Sequence, residues 1–239
     1  MLRRFRLITA LPLVAVLAFG PVPSQADPVV LPDPPAPLDT ELSCTELTPH
    51  AISLDSRRVR LDLRILLDGV GKARARRAVV SMRRAYGPLG IAVAPSYDKV
   101  RFRGRDAGRL NMQAKQHYRG KRPRGIDVVY TMTSKDITAA GPYGDDVAGM
   151  ADCIGGVRYA RRAFAVGEVH RSGVATGKIM AHEVGHLLGG HHHYTSPEGL
   201  LAADPNLLDL MGPSLSLISL RFSTLNTLMV KGHAQRYAR

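Results

Sequence analysis

Alternation of apolar and polar residues predicts a strand near the start of the folded region. From residue 59 to residue 65 every odd position is apolar, and the positions between them are charged. A period of two places these apolar side chains on one buried face of a strand. Residues 70–86 change to a period of three to four, with arginines between the apolar positions. This second pattern predicts an amphipathic helix that ends at Gly87 and Pro88.

Further apolar runs predict the rest of a mixed fold. The expected elements are strands at 89–94, 126–133, 149–157 and 163–169, a short helix at 111–117, a longer helix at 177–188, and a closing helix at 214–230 that stops at Gly232. Strands that are followed by helices in this order are typical of an α/β sheet. We therefore expect a sheet of about five strands, packed on the helix at 177–188.

The first 56 residues differ in composition from the rest of the chain. Residues 1–26 contain three arginines near the start, an apolar core and a small-residue motif that ends at Ala26. This is the pattern of a secretory signal peptide, and its apolar core is too short for a stable membrane span. Residues 27–56 are rich in proline and predict an extended leader or a short propeptide. We expect a secreted protein, cleaved near Ala26, with one folded domain at 57–239.

The composition is strongly basic. The chain has 33 Lys and Arg against 20 Asp and Glu, a formal net charge of +13. Such a charge favours contact with an anionic surface or polymer. Nucleic-acid binding is not expected, because the arginines are not interleaved with aromatic residues and the chain has no Trp.

A histidine-rich segment carries the densest chemistry in the chain. His182 and His186 are four residues apart, so a helix places both imidazoles on one face, where they can bind one metal ion. A catalytic zinc ion takes three protein ligands and keeps one position open. We expect His192 to be the third ligand, because Gly189 and Gly190 permit the left-handed turn that ends a helix.

With Glu183 and a later methionine, Met211, this HExxHxxGxxH segment resembles the metzincin clan of zinc endopeptidases. The resemblance implies a twisted, mostly parallel sheet over the active-site helix, and a small C-terminal subdomain. That subdomain would contain the closing helix and a Met-turn, with Met211 under the zinc-bound imidazoles. The sequence is closest to reprolysin- or adamalysin-like members. His193 stands where adamalysin-like members tend to have Asp, so the subfamily stays open.

The resemblance also implies how a substrate binds. An extended peptide would lie along an exposed strand edge just before the active-site helix, and main-chain hydrogen bonds would hold it there. In this sequence the corresponding residues are Ala163, Phe164, Ala165, Val166 and Gly167.

The reaction follows from the residue types. One zinc ion held by three neutral imidazoles lowers the pKa of a bound water and polarises a carbonyl group. Glu183 directly follows a ligand, so it is placed to accept the proton of that water as general base. We expect a secreted zinc-dependent endopeptidase that acts on protein or peptide substrates. The alternatives are an extracellular zinc amidase that acts on cell-wall peptide, and a non-catalytic secreted module with a structural zinc site.

Two further groups of residues leave alternatives open. Cys44 and Cys153 are the only cysteines, and in an oxidising compartment we expect them to form one disulfide. Alternatively, a Cys44 thiolate is a fourth zinc ligand that keeps the enzyme latent. Asp145 and Asp146 could bind calcium, although two adjacent acids do not by themselves indicate a site. We expect a monomer.

Overall fold

The computed structural model describes residues 51–139, 147–192, 209–212 and 219–238. The predicted signal peptide, Cys44, the Asp145–Asp146 pair and His193 lie outside these ranges. The domain boundaries, the monomeric state and the calcium site therefore stay predictions. Within the described ranges, no helix has the length and apolar character needed to cross a membrane.

The described strands form one five-stranded sheet in the order β2-β1-β3-β5-β4. Their bounds are Val59–Asp68 for β1, Ile91–Val100 for β2, Val128–Thr133 for β3, Gly149–Ala151 for β4 and Phe164–Glu168 for β5. The first four strands of this order are parallel, and β4 pairs with β5 in the antiparallel sense. The predicted α/β class with a mostly parallel sheet is confirmed.

Helices cover both faces of the sheet. Their bounds are Lys72–Tyr86 for α1, Ala107–His117 for α2, Gly173–Leu187 for α3 and Thr224–Tyr237 for α4. The odd residues of β1 from 59 to 67 belong to the main core with α1 and α3, as their alternation predicts. Leu66 is buried in a second core beneath α2, because a parallel sheet with helices on both faces needs apolar residues on both sides.

Close packing of two helices sets the position of the active-site helix. A β carbon on Gly177 of α3 would collide with the carbonyl oxygen of Ala78 in α1, so the two backbones lie in contact. The hydroxyl of Ser172 caps α3 by accepting hydrogen bonds from the main-chain N–H groups of Val174 and Ala175. The helix thus begins before the predicted residue 177.

Strand β4 is much shorter than the expected strand at 149–157. After Ala151 the chain turns at Gly155, whose φ of +77° is left-handed, and Gly156–Arg158 form a short 3-10 helix. A β carbon on Gly156 would lie 2.5 Å from the carbonyl oxygen of Arg162. Two adjacent glycines therefore keep residues 155–157 out of the strand, since one has a positive φ and the other allows a close backbone approach.

The closing helix α4 differs from the expectation. It begins at Thr224, and the prediction that Gly232 stops it is wrong, because the helix continues to Tyr237. Gly232 is instead a contact point: a β carbon there would collide with the carbonyl oxygen of Ala51. The main-chain N–H of Ser53 also donates to the carbonyl of Leu228, at 3.3 Å. Residues just before β1 thus pack along α4.

Candidate active site

The three histidines of the motif converge on one point. His182 and His186 lie on one face of α3, and both are buried. The chain then brings His192 back, so that its Nε2 atom lies 2.8 Å from Nε2 of His182 and 3.0 Å from Nε2 of His186. The Nε2 atoms of the two helical histidines are 3.1 Å apart. The expected grouping of these three side chains is observed.

Main-chain carbonyls orient two of the rings. Nδ1 of His182 lies 2.7 Å from the carbonyl oxygen of Leu210, and Nδ1 of His186 lies 2.8 Å from that of Gly190. Because a carbonyl oxygen only accepts, both Nδ1 atoms must donate. This tautomer leaves the lone pair on Nε2 for a metal ion.

The donor set fits a metal ion. Two neutral imidazoles with protonated Nδ1 atoms present lone pairs to each other at Nε2, and such an approach is repulsive unless a cation lies between them. A tetrahedral zinc ion with Zn–N bonds of about 2.0–2.1 Å places its ligand nitrogens about 3.4 Å apart, close to the distances here. Among the described residues, His182, His186 and His192 form the group of candidate ligands whose donor atoms lie close enough together to hold one ion.

Gly189 makes the return of the chain feasible. Its φ is +86°, which is left-handed, and this confirms the turn predicted from the sequence. A second constraint was not visible in the sequence: a β carbon at this residue would lie 2.5 Å from the ring of His233 in α4. The turn is thus held between the end of α3 and the closing helix.

The Glu183 side chain is buried against the edge strand β4. A β carbon on Gly149 would lie 2.5 Å from its Oε1 atom, and the main-chain N–H of Ala151 donates a hydrogen bond to the carboxylate. Burial raises the pKa of Glu183 to about 8, and the bond from Ala151 opposes this rise. A nearby dication would favour the carboxylate and lower the pKa again.

Met211 lies in the short turn formed by residues 209–212 and packs against the active-site helix. The side chain is fully buried. A β carbon on Gly185 would lie 2.8 Å from its sulfur, and one on Gly190 would lie 3.3 Å from its terminal carbon. Met211 therefore packs between the active-site helix and the turn that leads to His192. Its implied position under the zinc-bound imidazoles stays a prediction.

The predicted substrate strand is not an edge. Ala163 and its neighbours Phe164, Ala165, Val166 and Gly167 are all buried, and β5 is bonded to β3 on one side and to β4 on the other. The expectation that this segment offers an exposed edge is wrong. Its uninterrupted apolar character is typical of a strand with neighbours on both sides. Among the described strands, β4 is the outer strand on this side of the sheet.

The orientation of β4 identifies the main-chain groups on its outer side. The carbonyl of Ala148 and the N–H of Asp152 bond to β5 at 3.0 and 2.9 Å. Since antiparallel bonding alternates along a strand, the main-chain groups of Gly149 and Ala151 face away from β5. The N–H of Ala151 accordingly reaches Glu183.

Several residues of the site were missed in the sequence. No sequence pattern identifies Gly149, because its role depends on a contact with Glu183, which is 34 positions away in the chain. Asp209 and Asn226 are buried polar residues whose bonds join the Met211 turn to the His192 loop. A polar residue two positions before Met211 was the available clue to Asp209. Cys153 is buried, and its predicted partner Cys44 lies outside the described residues.

Comparison with known proteins supports the same assignment. Residues 81–193 match the family model described as Metallo-peptidase family M12B Reprolysin-like. No curated protein sequence matched the chain. Among solved structures, archaemetzincin from Methanopyrus kandleri superposes with a TM-score of 0.53 at 20% identity, covering 74% of this chain and 97% of that one.

A second solved structure, a zinc-dependent peptidase from Methanocorpusculum labreanum strain Z, gives a TM-score of 0.46 at 17% identity and covers 70% of this chain and 99% of that one. The family match spans the segment from α1 through the third histidine, and the archaemetzincin likeness extends the agreement in fold to most of the chain. In the family match, the fold and the histidine triad, the chain resembles the metzincin clan of zinc metallopeptidases.

Proposed function

We propose that this protein is a zinc endopeptidase that holds one zinc ion through His182, His186 and His192 and uses Glu183 as its general base. The observation that carries the proposal is the position of the Glu183 carboxylate, which lies against β4, the outer described strand on this side of the sheet, and directly follows a triad residue in α3. An extended peptide that pairs with this strand would pass its main chain beside both the triad and the carboxylate.

The chain's own residues supply proton transfer and substrate alignment. When bound, the zinc ion would supply a water of lowered pKa and polarise the scissile carbonyl. Glu183 would accept the proton of the attacking water and deliver it to the leaving amine. The outward-facing main-chain groups of Gly149 and the carbonyl of Ala151 would hold the peptide in an extended form, which is the form an endopeptidase needs in order to cleave within a chain.

A blocked-peptide assay tests the proposal. Purified protein is incubated with a library of peptides that are acetylated and amidated at their ends, with zinc and with a chelator. We expect internal cleavage that the chelator abolishes and added zinc restores. Cleavage of purified wall material but of no peptide would instead support the cell-wall amidase. Zinc binding without any hydrolysis would support the non-catalytic module.

Export and disulfide formation belong to the same proposal. The support for export is the signal-like pattern of residues 1–26. N-terminal sequencing of protein from the culture medium should find a start near residue 27, whereas intact protein inside the cell would contradict export. Thiol titration of the secreted protein under denaturing conditions should find no thiol if Cys44 pairs with Cys153. Two thiols together with latent activity would support the Cys44 ligand instead.

We also propose that a basic surface of the protein binds an anionic partner. The main-chain N–H of Arg122 donates to the carbonyl of Ala160 at 2.8 Å, which joins two basic loops at one end of the sheet. Arg158 and Arg236 extend this basic surface, because both pack on the ring of Tyr237 in α4. Their guanidinium carbons lie 5.7 and 5.6 Å from the centroid of the ring. The exposed cations of this basic rim are Arg119, Lys121, Arg124, Arg158, Arg161 and Arg236.

Where the chain is described, none of these six cations is paired with a carboxylate. A polyanion could therefore contact the basic rim without first displacing an acidic side chain. Binding to immobilised polyphosphate, measured between low and high salt, should be strong and salt-dependent. Charge reversal of Arg158 and Arg161 should weaken it, while reversal of two exposed arginines of α1, Arg76 and Arg77, should not. Equal weakening by both pairs would leave only a general effect of net charge.

A further inference from the structure

Two buried residues outside the zinc-binding motif connect its most distant parts. Asn226 lies in the first turn of α4 and is fully buried, and Asp209 lies in the Met211 turn and is also buried. We propose that they are positioning residues for the metal site, which hold the His192 loop and the carbonyl that orients His182. This inference rests on zinc binding by the triad, and it does not depend on which bond the enzyme hydrolyses.

Asn226 binds both main-chain groups of the residue before the third ligand. Its Oδ1 atom accepts from the N–H of His191 at 3.0 Å, and its Nδ2 atom donates to the carbonyl of His191 at 3.1 Å. A side-chain amide that satisfies both groups of one residue restrains that residue as a neighbouring strand would. Because His192 is the next residue, this pair of bonds restrains the backbone that carries the third imidazole.

Asp209 restrains the turn that contacts the first candidate ligand, His182. Its Oδ1 atom accepts from the N–H of Met211 at 2.7 Å, and its Oδ2 atom accepts from the N–H of Ser223 at 2.7 Å. These bonds span Leu210, whose carbonyl accepts from Nδ1 of His182 at 2.7 Å. The carboxylate thus fixes the turn that selects the tautomer of a ligand.

A direct contact links the two residues. Nδ2 of Asn226 lies 3.4 Å from Oδ2 of Asp209. The start of α4 therefore joins the first and third ligands through side chains that touch neither the ion nor the substrate. A buried carboxylate is costly unless it is hydrogen-bonded, and here the bonds it accepts are the ones that order the site.

Stabilising the start of α4 is the competing role for both residues. A carboxylate at a helix N-terminus is favourable, and Asp209 accepts from the N–H of Ser223, the residue that caps α4. If capping were the whole role, loss of Asn226 would lower the stability of the fold and leave the metal site unchanged. The Ser223→Ala variant provides a matched control, since it removes the capping hydroxyl, which accepts from the N–H of Asn226, but no bond to His191.

Zinc affinity separates the two roles. The dissociation constant of zinc is measured by competition with a chromophoric chelator for wild type, Asn226→Ala and Ser223→Ala, at a temperature where each is folded by circular dichroism. We expect Asn226→Ala to weaken zinc binding by about 10- to 100-fold, the usual effect of losing a residue that orients ligands. Ser223→Ala should lower Tm but change zinc affinity less than about twofold, since it leaves every bond to a ligand's neighbour intact.

The visible spectrum of the cobalt-substituted protein adds a geometric readout. Asn226→Ala should alter the ligand-field bands, because the His192 ring loses its fixed position, while Ser223→Ala should preserve them. If Asn226→Ala does not fold, Asn226→Asp keeps the shape but removes both donated bonds, and the same loss of affinity is expected. Unchanged zinc affinity in a folded Asn226 variant would overturn the inference. If the Asn226 variants bind zinc more weakly than wild type, but wild type cleaves no peptide, only the proposed function is overturned.

Discussion

Gly149 of the edge strand lies directly against Glu183 of the active-site helix. A β carbon at residue 149 would lie 2.5 Å from Oε1, 2.7 Å from Cγ and 2.8 Å from Cδ of the glutamate. The contact is therefore with the whole end of the side chain, which is enclosed by protein. Glycine at this residue allows the proposed substrate edge and the proposed general base to occupy neighbouring space.

Replacing Gly149 by alanine should impair turnover without removing the metal. The new methyl group must displace the Glu183 carboxylate, and misplacement of a catalytic group by about 1 Å can cost about 100-fold. We expect kcat/KM on the best peptide to fall at least about 10-fold, with zinc content unchanged. Gly87→Ala is the control, because a β carbon there would meet nothing within 4 Å and φ is −56°. Equal activity of Gly149→Ala and wild type would show that the carboxylate has room to move.

Glu183→Gln should retain zinc and lose nearly all activity. The amide has the same shape and leaves the three imidazoles intact, but it cannot accept the proton of the attacking water. General-base catalysis contributes about 10²- to 10⁴-fold, so kcat should fall by at least the lower figure. Metal analysis and peptide kinetics on the same preparation check both halves of the prediction. A variant with wild-type kcat would exclude Glu183 as the base.

Gly189→Ala should destabilise the fold and weaken zinc binding. The residue has a φ of +86°, and its β carbon would lie 2.5 Å from the His233 ring. The left-handed conformation alone costs a residue with a side chain about 1–2 kcal/mol, and the collision adds to this. Urea unfolding measures the loss. The double variant Gly189→Ala with His233→Ala should lose less stability than the two single variants summed, because the collision is absent; full additivity would contradict a direct contact.

The Asp98 carboxylate should make stability depend on pH in the acid range. Partial burial would raise its pKa, but bonds from Tyr118 at 2.7 Å and Arg64 at 2.6 Å, with the charge of Arg64, outweigh burial and lower it. A carboxyl group with a lowered folded-state pKa contributes stability above its unfolded value of 3.8, and this is lost as pH falls through the folded pKa.

Asp98→Asn should therefore be less stable than wild type at pH 7, and the difference should shrink below about pH 4. The pair is partly exposed, so solvent screening keeps the effect modest. Thermal unfolding from pH 7 to pH 2.5 measures it. Tyr118→Phe removes one of the two bonds and should show a smaller pH-dependent difference from wild type. A constant gap between Asp98→Asn and wild type at every pH would contradict the assignment.

The predictions that succeeded concern local geometry. Four residues make a turn of helix, so His182 and His186 had to share a face wherever α3 packed. A glycine is the residue that most readily takes a positive φ, so the break at Gly189 could be located before any tertiary contact was known. Alternation in β1 likewise identified its buried face.

The failures concern neighbours that are distant in the chain. The apolar character of residues 163–167 does not show that β4 pairs beside them, because strand order depends on pairing between remote segments. Gly232 looked like a helix stop because a glycine's role as a contact point is invisible until Ala51 packs against it.

The sequence by itself determined the spacing of the candidate zinc ligands, the candidate base and the α/β class, because helical periodicity, strand alternation and ligand chemistry are properties of short segments. Only the tertiary structure decided that β4 is the outer one of the described strands beside β5, that Gly149 faces Glu183, and that Asn226 and Asp209 join the loop before His192 to the Met211 turn. These relationships arise when buried polar groups find partners from other parts of the chain, and that pairing is settled by packing of the whole domain.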